Sequence, residues 1–322
     1  MSPMNTVSFL LILILSLPVK GISQPDLTAK KSGFELTNLK VSVADILSGG
    51  PRKDGIPSID QPKFIKGIDL TSYLSDDDLV IGLSINGISK AYPINIMNYH
   101  EIVNDKIGDL AIVVTWCPLC NSGIIFNASI NESVLTYGVS GLLYHSDIIL
   151  YDRESESLWS QILGKAISGP YAGTSLTLVP SKISTWKDWK IEHPGTLLLS
   201  DETGRSRNYS IDPYSDYNEK EETMFPVDNP DKAFSNKERV LVLKVNEGVK
   251  IYPFKRLQKT KETIIEDAFQ DKAIYIHFDA KKQTAFALDE DKNLMDGHTM
   301  FWFAANAFFP EGEIYKLKMK QK

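Results

Sequence analysis

Two segments of the 322-residue chain repeat the same short patterns in the same order, and this repetition limits the folds that the chain can adopt. The Tyr-Pro pair at residues 92–93 recurs at 252–253, and LAIVVTW recurs as KAIYIHF. Trp186 recurs as Trp302 at a shorter spacing, so the first copy carries an extra segment. Repeated patterns of this kind indicate a duplicated structural unit. We therefore predict two related β-rich units, packed in one compact body.

The first half of the repeated unit has the pattern of a hairpin followed by a helix. Apolar runs over Leu79–Ile85 and Ile88–Tyr92 flank Asn86-Gly87. This dipeptide is a strong signal for a two-residue hairpin turn. Proline is favoured in the first turn of a helix. We therefore predict that a helix begins near Pro93 and runs to about Val103.

The second half of the unit adds strands and one more helix. Apolar runs over Leu110–Trp116 and Gly123–Asn127 predict two strands joined by a tight turn. Short helices are predicted over Thr185–His193 and Thr299–Phe309, because a proline follows each segment and disfavours helix in the residue before it. The predicted fold class is α+β with a strand majority.

The N-terminal residues 1–23 have the pattern of a secretory signal peptide. The apolar run Val7–Leu17 is shorter than the roughly 20 residues that a membrane-spanning helix needs. Small residues follow at Gly21 and Ser23, at a suitable distance for cleavage. The alternative is an uncleaved membrane anchor. Cleavage predicts an exported protein, periplasmic or secreted, with no transmembrane segment left.

The remaining chain divides into four parts. Residues 24–75 contain GGPRKDGIPSIDQPKF and are predicted to form an irregular arm over the body. Residues 76–211 are the first unit with its extra segment, 212–237 are a linker, and 238–322 are the second unit. The net charge of −6, with no basic stripe, argues against a nucleic-acid partner.

The only two cysteines of the chain, Cys117 and Cys120, lie in the sequence CPLC. The alignment of the two units places CPLCN at a hairpin tip, where the second unit has the polar sequence DAKKQ. A disulfide between them would close a very short loop and contribute only about 2 kcal/mol before strain is subtracted. A disulfide at this position would therefore stabilise the fold only slightly, which favours a role of the pair in redox chemistry or metal binding.

Three interpretations of this pair remain open. In the first, Cys117 is the nucleophile and Cys120 the resolving thiol of an oxidoreductase whose partner is an unknown protein or a small-molecule thiol or disulfide. In the second, the two sulfurs bind zinc or copper together with His100 or His145. The lack of a second CxxC excludes a structural zinc ribbon. In the third, the cysteines are inert buried thiols.

Candidate partners of the cysteines lie on both sides of them in the chain. His100 is interpreted as a general base or metal ligand behind the cysteine turn, or alternatively as a hydrogen-bonded core histidine. The extra segment of the first unit contributes polar and aromatic candidates for a binding site, and the alternative for this segment is a salt-bridged surface hairpin. These candidates are His145, Asp147, Asp152, Arg153 and Trp159.

A third function class is a binding module without catalytic activity. Its groove would be lined by Trp116, Trp159 and Arg153. A guanidinium group supplies a planar fork for carboxylates or other anions, and tryptophan supplies a broad apolar face.

Several motifs of the chain together resemble one known family. HEIVND, TWCPLCNSGIIF, YGVSGLLYHSDIILYDRESESLWSQ, AISGPYAGTSL and TWKDWKIEHPGTLLLS occur in its order. The chain is therefore similar to the domain-of-unknown-function 3179 family over roughly residues 45–315. The resemblance implies no established activity. The family name allows for selenoprotein members, which implies redox chemistry at the position that matches Cys117 or Cys120.

Overall fold

A computed structural model describes residues 29–67, 72–227 and 231–317. The predicted signal peptide, residues 1–23, lies outside the described residues. Strands dominate the fold, and the helices are short. Within the described part of the chain, no helix is both long enough and apolar enough to cross a membrane.

The N-terminal arm contributes short strands to the rest of the fold. They are β1 (Ala29–Lys31), β2 (Phe34–Leu36), β3 (Ile46–Ser48) and β4 (Phe64–Lys66). Strands β1 and β2 pair with each other, whereas β3 and β4 pair with strands of the main body. Backbone hydrogen bonds therefore hold the arm against the body.

The first hairpin and helix are followed by a three-stranded meander. The elements are β5 (Leu79–Ile85), β6 (Ile88–Pro93), α1 (Ile94–His100), β7 (Ile102–Ile107), β8 (Leu110–Cys117) and β9 (Ser122–Asn127). The hairpin turns at Asn86-Gly87, whose φ angles of 50° and 79° fit the predicted type of turn. The cysteines lie at the tip of the β8–β9 hairpin, as the alignment predicts.

The predicted end of the first helix is wrong. Helix α1 stops at His100, and strand β7 occupies the residues that the sequence pattern placed in the helix. Glu101 ends the helix because its φ of 59° leaves the helical region, while its N–H still bonds the carbonyl of Met97 at 2.8 Å. The β-branched pair Ile102-Val103 then favours a strand.

The extra segment of the first unit forms a two-stranded sheet and four strands of a five-stranded sheet, whose edge strand β3 comes from the arm. It contains β10 (Ser129–Ile130), β11 (Ser133–Val134), β12 (Tyr137–Tyr144), β13 (Asp147–Asp152), β14 (Leu158–Ser160) and β15 (Lys165–Ser168). The unit then closes with β16 (Lys182–Thr185), α2 (Trp186–Glu192) and β17 (Leu197–Leu199). Thr185 caps α2 by accepting the N–H of Asp188 on its side chain, and the predicted helix is confirmed there.

The second half of the chain begins with a short helix in the predicted linker. Its elements are α3 (Ser215–Glu219), β18 (Arg239–Val245), β19 (Gly248–Pro253), α4 (Phe254–Thr260), β20 (Ile264–Phe269), β21 (Lys272–Asp279), β22 (Thr284–Leu288), β23 (Gly297–Phe301), α5 (Trp302–Phe308) and β24 (Glu313–Ile314). Helix α5 lies within the segment where the sequence predicts one.

The larger sheets form a propeller-like arrangement of five blades. Their strand orders are β16-β5-β6-β17-β4, β7-β8-β9, β15-β14-β13-β12-β3, β23-β18-β19-β24 and β20-β21-β22. The order β16-β5-β6-β17 matches β23-β18-β19-β24, and in both sets two antiparallel pairings are followed by a parallel one. An origin of this likeness by duplication stays a prediction.

Strand β8 is buried on both faces and therefore places its last residue deep in the molecule. Val113 and Cys117 belong to the largest core cluster, whereas Val114 and Trp116 face a second cluster on the other side of the sheet. This alternation follows from the two-residue period of a strand. The N–H of Phe301 in β23 bonds the carbonyl of Cys120 at 2.8 Å, so the second half of the chain also holds the cysteine tip.

Candidate functional site

Two hairpin tips from neighbouring sheets converge at the candidate site. One is the β8–β9 tip with the cysteines, and the other is the β12–β13 tip at His145 and Ser146. The φ angles of these two residues, 49° and 64°, are those of a two-residue turn with both positions left-handed. This turn directs the carbonyl of Ser146 to the sulfurs, at 3.4 Å from Cys120 Sγ and 3.8 Å from Cys117 Sγ.

The two cysteines are a close pair of free thiols. They lie 3.5 Å apart, and both are fully buried. A disulfide bond is about 2.05 Å long, so the sulfurs are separate atoms in contact. The backbone N–H of Cys120 also donates to Cys117 Sγ at 3.3 Å. A hydrogen bond of this kind favours the thiolate form of Cys117, because the N–H stabilises the negative charge of the sulfur.

Asp147 is the third member of the site. It begins β13 and is fully buried, and its Oδ2 accepts the N–H of Ile162 at 3.0 Å. Its Oδ1 is buried with no hydrogen-bond partner among the described residues. One carboxylate oxygen and the sulfurs of Cys117 and Cys120 all lie within 4.8 Å of one another. These three side chains can therefore ligate one metal ion.

Burial keeps the site protonated in the metal-free protein. It raises the pKa of the Cys117 thiol and raises that of Cys120 well above its usual value. It also raises the pKa of Asp147 to about 8. A redox-active cysteine needs the opposite shift, because its thiolate is the reactive form. The raised thiol pKa values therefore do not favour a reactive thiolate in this arrangement of groups.

Glu101 is a buried carboxyl group beside the site that the sequence did not single out. Its side chain lines a cavity of about 80 Å³ whose other walls include Leu119, Ile148 and Tyr214. Burial, and then the charge of Asp147, raise the pKa of Glu101 to about 8. No ion pair compensates this carboxyl group among the residues that the structure describes. Strongly perturbed, uncompensated groups of this kind are typical of functional sites.

A segment that we name the strap, residues 212–227, covers both hairpin tips. The hydroxyl of Tyr217 donates to the carbonyl of Leu119 at 3.0 Å, and the hydroxyl of Ser146 donates to the carbonyl of Phe225 at 3.1 Å. Asn98 anchors the start of the strap through Asp212 at 2.9 Å. The sequence indicated a linker in this region, and the strap also seals the cysteines from solvent.

His100 lies outside the cluster of ligating groups. Its Nδ1 is 2.7 Å from the carbonyl of Pro57, and its Nε2 is 2.7 Å from the hydroxyl of Tyr209. Since a carbonyl only accepts, Nδ1 carries the proton and Nε2 accepts from the tyrosine. Both ring nitrogens are therefore engaged, and a metal would have to displace Tyr209 to reach this histidine.

His145 lies at the tip beside Ser146, but it is not one of the three clustered ligating residues. Its ring packs against Tyr144, with ring centroids 4.1 Å apart, and against Phe308, with centroids 5.6 Å apart. His145 is the first residue of the turn that directs the Ser146 carbonyl to the two sulfurs. His145 therefore contributes to the site through its backbone conformation.

The remaining candidates are not gathered in one groove. Buried Asp152 accepts the indole N–H of Trp159 at 2.9 Å, whereas Arg153 pairs at the surface with Asp54 at 3.5 Å. The indole N–H of Trp116 donates to Asn98 at 2.7 Å, in a different core cluster from Trp159. Only Asp147 of the candidates from the extra segment joins the cysteines as a ligating side chain.

A family model decides the relationship of the chain. The model described as "Protein of unknown function (DUF3179)" matches residues 53–297, which include both hairpin tips and the strap. The chain belongs to this family. No curated protein and no solved structure matches the chain. The family description names no activity.

Proposed function

We propose that the protein binds a borderline-soft divalent metal ion such as zinc between Cys117, Cys120 and Asp147. The observation that carries this proposal is the clustering of two sulfurs and one carboxylate within 4.8 Å, in which Asp147 Oδ1 has no other partner among the described residues. An unpaired buried oxygen is costly, and a bound cation would remove that cost.

The spacing of the two cysteines suits tetrahedral coordination. Zinc lies about 2.3 Å from sulfur and about 2.0–2.2 Å from oxygen, so that ligand atoms of a tetrahedral site are roughly 3.5–3.8 Å apart. The cysteine pair already has a spacing of 3.5 Å. The N–H of Cys120, which donates to Cys117 Sγ, would stabilise a ligating thiolate.

The donor set selects among metals. Thiolates disfavour calcium and magnesium, which take oxygen ligands. A carboxylate ligand disfavours copper(I), which prefers soft donors. Zinc accepts both donor types. Of the two metals that the sequence analysis named, the site therefore favours zinc over copper.

The raised pKa values are compatible with a metal site. A metal ion displaces protons from thiols and carboxylic acids, so binding is coupled to proton release. Two thiolates and one carboxylate carry three negative charges, and a divalent ion neutralises two of them. The same ligands cannot all ionise in the metal-free protein, because burial penalises their charges.

Thiol–disulfide redox activity is the second candidate function. It is favoured by the 3.5 Å spacing, since the sulfurs would need to approach by only about 1.5 Å to form a disulfide. It is disfavoured by the complete burial of both thiols and by their raised pKa values. A large protein partner could reach the pair only after the strap had moved.

The metal content of the purified protein tests the proposal. The protein is prepared without chelator, its bound metal is measured, and its free thiols are titrated before and after a mild reductant. We expect about one zinc per chain, and little metal in Cys117→Ser and Cys120→Ser. Asp279→Ser changes the matching residue of the β21–β22 tip and should leave the metal content unchanged. A metal-free protein whose free thiols increase after reduction would support the redox candidate instead.

A further inference from the structure

The three proposed ligands leave one position of a tetrahedral ion to be filled. Catalytic zinc sites commonly have three protein ligands and one exchangeable ligand, whereas structural sites are closed by four protein ligands. The wall of the cavity of about 80 Å³ is formed by chain neighbours of the proposed ligands, which do not line it themselves: Leu119 lies between the two cysteines, and Ile148 follows Asp147. Tyr214, another wall residue, is close enough to Cys117 for their charges to interact.

We propose that the fourth coordination position opens to this cavity and binds a small uncharged ligand, which Glu101 holds by accepting a hydrogen bond. This inference rests on the proposed metal site. It assigns to the cavity a binding function, and to Glu101 the role of positioning a ligand in contact with the ion.

The burial of Glu101 distinguishes it from the matching residue of the second half. Glu101 and Lys261 both follow a seven-residue helix, and their φ angles are 59° and 60°. The positive φ is therefore a property of this helix end. Lys261 is exposed, whereas only 4% of Glu101 is exposed and its side chain lines the cavity. Burial of a carboxyl group without an ion-pair partner is energetically unfavourable, and a ligand that forms a hydrogen bond with Glu101 best explains it.

The size of the cavity limits the ligand to a few non-hydrogen atoms. A volume of about 80 Å³ is several times the roughly 10–15 Å³ that one water molecule requires on the same measure. Tyr214, Met224 and Phe225 of the strap form part of its wall and restrict larger molecules. A peptide or an extended substrate does not fit while the strap is in place.

The charges around the cavity favour an uncharged ligand over an anion. The three proposed ligands already carry one negative charge more than a divalent ion can neutralise. Glu101 and Asp147 are close enough for their charges to interact, and no ion pair with Glu101 exists in the described parts of the chain. An added anion would be repelled in this buried setting, where charges are weakly screened.

The carbonyl of Ser146 is the competitor for the fourth position. Its oxygen lies 3.4 Å and 3.8 Å from the two sulfurs, distances that also suit a ligand of the same ion. If this carbonyl closes the site, no added molecule can bind to the metal. The experiment therefore has to separate a closed site from an open one.

Cobalt(II) substitution makes that separation, because cobalt reports its coordination in visible absorption bands. The cobalt-loaded protein is titrated at pH 9 with imidazole, with benzimidazole as a larger probe and with azide as an anionic probe. We expect imidazole to shift the bands saturably and to bind at least about tenfold more tightly than either other probe. Unchanged bands would show a closed site and overturn the inference, as would equal binding of azide or benzimidazole. Failure to bind cobalt would instead overturn the proposed function.

Substitution of Glu101 tests its positioning role. Glu101→Gln keeps the size of the side chain and removes its charge, so we expect unchanged cobalt stoichiometry and about fivefold weaker imidazole binding, since a charge-assisted hydrogen bond is replaced by a neutral one. The control is Glu156→Gln, which changes an exposed glutamate that pairs with Lys53. Equal imidazole affinity in the Glu101→Gln and unsubstituted proteins would remove Glu101 from the site.

Discussion

Cys117 and Asp279 occupy matching places in two hairpins whose loops have the same length. Each is the last residue of its strand and accepts a hydrogen bond from the backbone N–H three residues later, at 3.3 Å for Cys117 Sγ and 3.0 Å for Asp279 Oδ1. Both loops end in a residue with a φ of 54°, Asn121 and Gln283. In both hairpins, the turn therefore places an acceptor side chain beside a backbone N–H donor. The buried β8–β9 tip adds a second sulfur, that of Cys120.

Asp147→Asn should weaken metal binding by at least about 10- to 100-fold, since it replaces a charged ligand by a neutral amide of similar shape. The protein should remain folded, because the amide oxygen can still accept the N–H of Ile162. Competition with a chelator of known affinity measures the change. Unaltered zinc affinity would show that Asp147 is not a ligand.

His100→Ala should lower the stability of the protein without changing its metal binding. The substitution removes a fully buried ring and its contacts with Pro57 and Tyr209, so we expect the free energy of unfolding to fall by about 2–4 kcal/mol. The metal content of the folded protein should not change, because both ring nitrogens are engaged elsewhere. Chemical denaturation and metal analysis of the same sample separate the two effects. Loss of metal from a folded His100→Ala protein would restore His100 to the ligand set.

The local elements of the fold were largely predictable, because each depends on neighbouring residues. Asn86-Gly87 forms its predicted turn, and the helices before Pro194 and Pro310 lie within their predicted segments. The end of α1 was not predictable in the same way. Glu101 adopts a positive φ although it is neither glycine nor asparagine, and no sequence pattern predicts this conformation. The five-blade arrangement depends on contacts between distant strands, which local periodicity does not encode.

The candidate site was predictable only in part for the same reason. The spacing of Cys117 and Cys120 indicates a site by itself, and Asp147 was one of several polar candidates in the extra segment. The selection of Asp147 depends on the convergence of two hairpin tips, which brings residues 27 and 30 positions apart into one cluster. Glu101 has one usable signal: the matching position of the second half is Lys261. Tyr217 of the strap has no such signal, since its segment lacks a counterpart and a clear period.

Gly141→Ala should destabilise the protein more than Gly87→Ala. Both glycines have a positive φ, 73° and 79°, so both substitutions should cost about 1 kcal/mol from the backbone alone. A Cβ at Gly141 would also overlap the carbonyl oxygen of Pro51 in the arm, whereas no atom lies within 4 Å of one at Gly87. We expect an additional cost of about 1–3 kcal/mol at Gly141, measured by urea denaturation. Equal losses would show that the arm yields freely at this contact.

Tyr217→Phe should expose the cysteines more often. The lost hydrogen bond to Leu119 joins the strap to the cysteine tip, and a bond of this kind contributes about 1 kcal/mol. If local opening of the strap controls access, thiol labelling of the metal-free protein should become about fivefold faster. Tyr73→Phe is the matched control, because Tyr73 is similarly buried and donates to the carbonyl of Leu199, outside the strap. Equal acceleration in both variants would indicate that labelling requires global unfolding.

The metal-free protein should become less stable as the pH rises from about 4 to 8. Burial raises the pKa of Asp147 from its ordinary value of 3.8 to about 8, and it raises that of Glu101 from 4.5 to about 8. In the unfolded chain these groups lose their protons near pH 4, whereas in the folded protein they keep them until about pH 8. The unfolded state therefore binds fewer protons in this window, and the free energy of unfolding falls as the pH increases.

The size and reversal of this effect make it a test of the whole site. One unit of pKa corresponds to about 1.4 kcal/mol, so we expect a loss of at least about 2 kcal/mol between pH 5 and 8. The double variant Glu101→Gln, Asp147→Asn should have a flatter profile, measured by urea denaturation at each pH. Zinc should reverse the trend, because its ligands bind more tightly once protons no longer compete. If the free energy of unfolding of the metal-free protein instead rises with pH over this range, both carboxyl groups are already ionised in the folded protein. That result would contradict a site whose acidic groups lose their protons only when the metal ion binds.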